Sequence, residues 1–251
     1  MKIVSYASNA TTSQADPIIK QHSIHWMICK ESYMTSRRND IEGWILLEDD
    51  IDWCIYTNNE KAICAFRGTA TAKDLVDDIR LSIQIDACTT SRFTPAIELV
   101  NELLQEYSVQ VTGHSLGGAV AQCVGTKLKL GCVTFNSAAS PLNPVTITNP
   151  NSANYHIVWD IISAWEHPNV IRIDKGYHTP RGLTGAVLGN YDITSFLRAH
   201  ALENFSNARP GHIVSAEYEN SLWKNWWSKV TSSGRGLFFK FIKKRFPTIK
   251  N

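Results

Sequence analysis

Thr112-Gly113-His114-Ser115-Leu116-Gly117-Gly118 sets a serine between two glycines, after the apolar run Tyr107 to Val111 and before Ala119-Val120-Ala121-Gln122-Cys123-Val124. The first run reads as a strand and the second as a helix. A serine on so tight a strand-to-helix turn is held in a strained backbone conformation, which Gly113 and Gly117 permit because side chains there would collide with the adjoining strand and helix. Its hydroxyl then points into a cleft. The N–H of Leu116 stands at the positive end of the helix, where it can stabilise developing oxyanion charge. The chemistry this suits is nucleophilic attack on a carbonyl, although glycine-flanked loops also join strands to helices for packing alone.

A serine nucleophile needs a base, and the base needs a group to orient it. Three aspartates follow the serine, namely Asp160, Asp174 and Asp192, and only Asp160 directly follows a short apolar strand, Tyr155-His156-Ile157-Val158-Trp159. A carboxylate at a strand's C-terminal end lies on the sheet edge where ligands bind, and it can accept the Nδ1–H of a histidine. Its alternative role is a helix N-cap ahead of Ile161-Ile162-Ser163. Beyond it lie His167, His178, His200 and His212. His200 is the best placed, because a loop there turns into a short helix whose Leu202 and Phe205 can anchor against the core. His212, after Pro210-Gly211, is second.

Ala65-Phe66-Arg67-Gly68-Thr69, the serine motif, Asp160-Ile161-Ile162-Ser163 and His200-Ala201-Leu202-Glu203-Asn204-Phe205 together resemble the class 3 lipases, the fungal-lipase-like α/β-hydrolases, over roughly residues 15 to 210. The resemblance implies an α/β-hydrolase fold with a mostly parallel sheet flanked by helices. It further implies that Ser115 attacks an ester carbonyl, that His200 is the base and that Asp160 orients it. The backbone N–H groups of Thr69 and Leu116 would form the oxyanion hole. Asp74 and Asp78 fall where the family often braces that loop. Only 42 residues separate Thr69 from Thr112, so the chain is expected to be compact with little or no lid, residues 86–92 being at most a stub. Val133-Thr134-Phe135 runs into Asn136-Ser137-Ala138 where the family commonly has Phe-Gly-x-Pro, so acyl-chain preference does not carry over.

The elements around these residues are consistent with one α/β domain. A helix is expected from Pro17 to Met34 with Asp16 as its N-cap, then a hairpin turning at Asn58-Asn59, strands at 108–112, 131–135 and 154–159, and helices at 95–107 and 115–127. Of the 251 residues 43% are hydrophobic and 19% charged, an ordinary globular balance. No apolar run approaches the roughly 20 residues that span a bilayer. The first residues lack the apolar stretch of a secretory leader, so an intracellular protein is expected. Six cysteines show no Cys-x-x-Cys spacing and His-Glu-x-x-His is absent, so neither a metal nor a cofactor is expected. Reduced thiols are the default, although Cys54 and Cys64 would lie nearly opposite in the hairpin, close enough for a disulfide.

Charge divides the chain. The last 28 residues hold eight Lys or Arg and no acid, leaving 17 basic against 23 acidic residues in the preceding 223. Residues 1–223 are therefore read as the hydrolase domain and 224–251 as a basic, aromatic tail. Trp223, Trp226 and Trp227 at helical spacing fit a last core helix. On a helical wheel Phe238 and Phe241 face one way and Lys240, Lys243 and Lys244 the other, which suits an anionic membrane surface, with a packing or partner site as the alternative and nucleic acid not expected. The expected substrate is a lipid ester, a phospholipid or an acylglycerol. The alternatives are acyl transfer or peptide hydrolysis on the same scaffold, or a catalytically silent lipid-binding protein.

Overall fold

The computed structural model describes residues 20–69, 92–138, 149–160, 163, 170–176, 198–206 and 211–231. Nine strands form one sheet in chain order: β1 (Asp40–Ile41), β2 (Trp44–Asp49), β3 (Trp53–Asn58), β4 (Lys61–Phe66), β5 (Ser108–His114), β6 (Gly131–Phe135), β7 (Ser152–Ile157), β8 (Val170–Asp174) and β9 (His212–Val214). Among the described residues the helices α1 (Ser23–Glu31), α2 (Phe93–Leu103), α3 (Leu116–Leu128) and α4 (Ala216–Thr231) accompany them, with a 3-10 turn at Leu202–Phe205.

The sheet begins as an antiparallel meander from β1 to β4, runs parallel from β4 to β8, and closes with β9 antiparallel. Parallel neighbours need crossover connections, and α2 and α3 lie in the first two of them, between β4 and β5 and between β5 and β6. Every residue of β4 but the first is buried, as expected of a strand covered on both faces. On one face Cys64, Phe66, Val109, Val111 and Cys132 pack with Val100 of α2 and Val120 and Val124 of α3. On the other, Ile28 of α1 packs with Cys54, Tyr56, Ile63 and Ala65. Further along that face Cys29 joins Val133, Phe135, Tyr155 and Phe205. The result is a three-layer α/β architecture whose parallel strands all end on one edge.

Several boundaries differ from the sequence reading. Described structure for α1 begins after the expected Asp16–Pro17 cap, which lies outside the described residues. Helix α2 starts at Phe93, so Pro95 falls within its first turn, where its missing N–H costs no hydrogen bond. Strand β7 ends at Ile157, two residues before the expected Trp159. Strands β1, β2, β8 and β9 were not foreseen, being short or only half-buried. The hairpin turn does fall after Asn58, and Asn59 takes a left-handed φ of 53°, which asparagine tolerates.

The hairpin register overturns the near-opposition of Cys54 and Cys64. Cys54 faces Ala65 and Cys64 faces Ile55, an offset of one residue. Successive side chains alternate across a sheet, so the two sulfurs lie in different core clusters on opposite faces, and both thiols are free. Cys123 is disulfide-bonded, which departs from the expectation of reduced thiols.

Candidate active site

The site is built on the C-terminal edge of β5, β6 and β7. Between His114, the last residue of β5, and Leu116, the first of α3, Ser115 adopts φ 57° and ψ −129°. A non-glycine residue held there stores roughly 1–3 kcal/mol, so the surroundings must over-determine it. They do: the Ser115 carbonyl accepts the N–H groups of Ala119 at 3.2 Å and Ala138 at 2.9 Å, and its own N–H reaches the Phe135 carbonyl at 3.4 Å. The flanking glycines are steric requirements. A Cβ on Gly113 would stand 2.3 Å from the Gly117 carbonyl oxygen, and one on Gly117 would stand 2.1 Å from the Phe66 carbonyl oxygen.

That second contact also fixes the segment expected to supply an oxyanion donor, because it seats Phe66-Arg67-Gly68 against the first turn of α3. The segment is clamped on several sides. The Arg67 N–H donates to the Asp52 carbonyl at 2.8 Å, Arg92 donates to the Arg67 carbonyl at 2.8 Å, and Arg92 pairs with the Asp52 carboxylate at 2.8 Å. The Gly68 N–H donates to the Tyr33 hydroxyl at 3.0 Å. Thr69 follows, half-buried, and Leu116 stands opposite at the helix start, also half-buried.

Asp160 and His200 meet although 40 residues separate them. After β7 the chain turns through Trp159, whose φ is 77°, with the Asp160 N–H closing on the Ile157 carbonyl at 2.9 Å. The Asp160 carboxylate thereby points back over the sheet edge and accepts from His200 Nδ1 at 2.9 Å. Both are buried, at 1% and 2% exposure. Burial pushes the Asp160 carboxyl up, but His200, His156 and the Ser163 hydroxyl outweigh it and hold it below the ordinary carboxylate range. The other ring nitrogen of His200, Nε2, is buried without a hydrogen-bond partner. Phe205 anchors the turn after His200, its ring 5.2 Å from that of Phe135 and fully buried.

Of the alternatives, Asp174 ends β8, one strand further along the same edge, and its carboxylate is taken by the Tyr218 hydroxyl at 2.9 Å and the Gly176 N–H at 2.7 Å. His212 is exposed and pairs across the sheet with Asp174. Asp192, His167, His178, Asp74, Asp78 and residues 86–91 lie outside the described residues, as do Phe238, Lys240, Phe241, Lys243 and Lys244. Helix α4 runs from Ala216 to Thr231 and spans residues 223 and 224.

Three residues at the site carry roles that the sequence did not announce. His114 donates from Nε2 to the His200 carbonyl at 2.7 Å, and its Nδ1 accepts from the Tyr33 hydroxyl at 3.0 Å. Burial and the neighbouring His200 lower the His114 pKa to about 3, so the ring is neutral and this tautomer is set by its partners. Asn136, directly after β6, donates from Nδ2 to the carbonyls of Ala199 at 2.9 Å and His200 at 3.1 Å, while its Oδ1 accepts the Ile157 N–H at 2.9 Å. Its position at the end of a parallel strand is a sequence signal; Tyr33, 35 residues before Gly68, gave none. Among the described residues no cluster of His, Cys, Asp and Glu could hold a metal ion, and no helix is long and apolar enough to cross a membrane.

A serine on a strained strand–helix elbow, on the same edge of a parallel sheet as a buried aspartate–histidine pair, fits the α/β-hydrolase class. Residues 47–175 match the phospholipase-like family model of the Tle-like phospholipase domain; that is just over half of the chain, which belongs to this family of lipid-ester hydrolases. Among solved structures the chain is similar to the Lip2 lipase of Yarrowia lipolytica, at 17% identity over 66% of this chain and 82% of that one, with a TM-score of 0.45. It is also similar to lipase II of Rhizopus niveus, at 17% identity over 65% and 83%, TM-score 0.48. A third is the triacylglyceride lipase of Rhizomucor miehei, at 10% identity over 78% and 99%, TM-score 0.47. No curated protein matches the sequence.

Proposed function

We propose that this chain is a serine esterase that hydrolyses the carboxyl esters of phospholipids through an acyl-enzyme. The observation that carries the reading is the strained Ser115 elbow on the same sheet edge as the 2.9 Å Asp160–His200 pair, whose outer nitrogen is left without a partner. Ser115 attacks the ester carbonyl while His200 Nε2 takes its proton and passes it to the leaving alcohol. Asp160 holds His200 in the Nδ1–H tautomer and stabilises the imidazolium. The N–H groups of Thr69 and Leu116 receive the oxyanion. Water then attacks the acyl-serine by the same proton path in reverse. The phospholipase-like family supports phospholipid over acylglycerol, as does the basic C-terminal segment, to which anionic headgroups would be drawn.

Labelling wild type and Ser115→Ala with a fluorophosphonate probe, then assaying anionic phospholipid vesicles and a triacylglycerol emulsion, tests this. Labelling of wild type alone together with phospholipid hydrolysis is the expected result. Preference for the emulsion would make the protein an acylglycerol lipase, and an unlabelled, folded wild type would make it a silent lipid binder. The tail has its own test. Removing residues 234–251 is expected to abolish binding to anionic vesicles and to leave hydrolysis of a soluble short-chain ester intact; unchanged vesicle binding would remove its role as a tether.

A further inference from the structure

From the Asp160 carboxylate runs a second buried chain of hydrogen bonds. The Ser163 hydroxyl donates to Asp160 Oδ2 at 2.5 Å, the same oxygen that accepts from His200. Ser163 Oγ lies 2.6 Å from Nδ1 of His156, which projects from β7. Nε2 of His156 lies 2.6 Å from Glu219 Oε1 on α4, and the other oxygen of Glu219 accepts from Arg172 Nε of β8 at 2.8 Å. Ser163 is 3%, His156 4% and Glu219 7% exposed, so no water replaces these partners.

Counting protons along this chain fixes the state of His156. Ionised Asp160 and Glu219 are acceptors only, and a serine hydroxyl has a single hydrogen to give. If Ser163 gives it to Asp160, its lone pairs face His156 and Nδ1 must carry a proton; Nε2 must carry one as well to satisfy Glu219. A neutral His156 would leave an oxygen facing an oxygen at 2.5 Å, or a lone pair facing a carboxylate at 2.6 Å. With both carboxylates ionised, only an imidazolium satisfies these contacts. Among the described residues the charges along this chain then balance, with Asp160 and Glu219 against His156 and Arg172.

We infer that His156 is a buried imidazolium which, through Ser163, positions Asp160 and keeps it ionised, and that Glu219 of α4 holds it in that state. The inference rests on the triad reading for its catalytic consequence, but not for the charge of His156. One oxygen of the acid takes both the His200 N–H and the Ser163 hydroxyl, which ties it to a cation held by α4. Among the described residues the groups facing His156 are Ser163 and Asp160 beyond β7, Glu219 from α4 with Arg172 of β8 behind it, and Asn136 at the end of β6, whose Oδ1 lies 3.3 Å from Ser163 Oγ. Ser163 and His156 are positioning residues that touch neither substrate nor Ser115. Losing the His156 charge makes protonation of the Asp160–His200 pair easier, so the pH at which the base is titrated rises.

Two measurements test this. Long-range nitrogen–proton spectra of labelled wild-type protein at pH 8, with His156→Gln for assignment, are expected to show His156 protonated at both nitrogens; a neutral tautomer overturns the inference whether or not the protein is an enzyme. In kinetics on a soluble ester, Ser163→Ala and His156→Gln are expected to lower kcat about 10- to 100-fold with KM little changed. The acidic limb of kcat/KM should move up by about one pH unit. Ser163→Thr, which keeps the hydroxyl, is expected to retain the wild-type limb. Unshifted limbs in folded His156→Gln and Ser163→Ala that still label with fluorophosphonate would overturn the positioning role, whereas an inactive, unlabelled wild type would instead defeat the esterase reading.

Discussion

The carbonyl of His200 accepts the Nε2–H of His114 at 2.7 Å, so the residue immediately before the serine grips the backbone of the histidine expected to serve it. On its other side the same ring accepts from Tyr33, whose oxygen in turn accepts the Gly68 N–H. Gly68, the Ser115 elbow and the His200 backbone are thus strung on one line of neutral hydrogen bonds.

Removing the middle of that line should be felt at both ends. Tyr33→Phe leaves the Gly68 N–H and His114 Nδ1 without their partner, and a buried polar group so orphaned costs about 1–3 kcal/mol. The variant is expected to unfold at lower denaturant and to hydrolyse ester with reduced kcat. Wild-type values of both would show that the Gly68 segment is held without Tyr33.

Strain at the elbow makes a prediction of opposite sign for stability and activity. Glycine tolerates the φ of 57° at residue 115 without a Cβ penalty. Ser115→Gly should therefore be more stable by about 1 kcal/mol while losing all hydrolysis. Equilibrium denaturation beside an ester assay checks it, and a destabilised variant would contradict the strain.

Gly117→Ala should do the reverse, because its methyl would stand 2.1 Å from the Phe66 carbonyl oxygen, rigid backbone that cannot move aside cheaply. A loss of about 3 kcal/mol is expected, together with loss of activity as the Arg67-Gly68-Thr69 segment is pushed from the helix start. A folded variant of wild-type stability would mean that α3 and the loop can separate freely.

Acid should weaken the fold before the carboxylates titrate. Burial lowers His114 to about 3 and, with help from His22, His25 to about 4, both from an ordinary 6.5. Between those values the unfolded chain binds protons that the folded chain refuses, so this contribution is complete above about pH 6.5 and falls away as the pH drops towards 4. Each such histidine adds about 1.4 kcal/mol per pH unit to the slope in that window. His25→Gln, whose amide can still donate to Gln110, is expected to reduce the slope by one such increment; an unchanged slope would mean that His25 is already protonated in the fold.

Much of the site is written locally. Gly113, Ser115 and Gly117 specify the elbow by themselves, because sterics within a few residues decide a strand–helix turn, and the apolar runs around them name the strand and the helix. The order serine, aspartate, histidine was equally legible, as was Phe66-Arg67-Gly68-Thr69 upstream. What the chain could not settle alone was which aspartate meets which histidine. Asp174 ends a parallel strand and Asp160 closely follows one, and only strand order and the turn at Trp159 send one carboxylate to His200 and the other to Tyr218. The roles of Tyr33, His156 and Glu219 were invisible for the same reason. Their partners lie up to 81 residues away, and hydrogen bonds across that separation leave no periodicity in a sequence. Local sterics and hydrophobic pattern fixed the serine elbow and the central strands; pairing between distant strands and helices, which tertiary packing determines, decided the partners of Asp160 and His200.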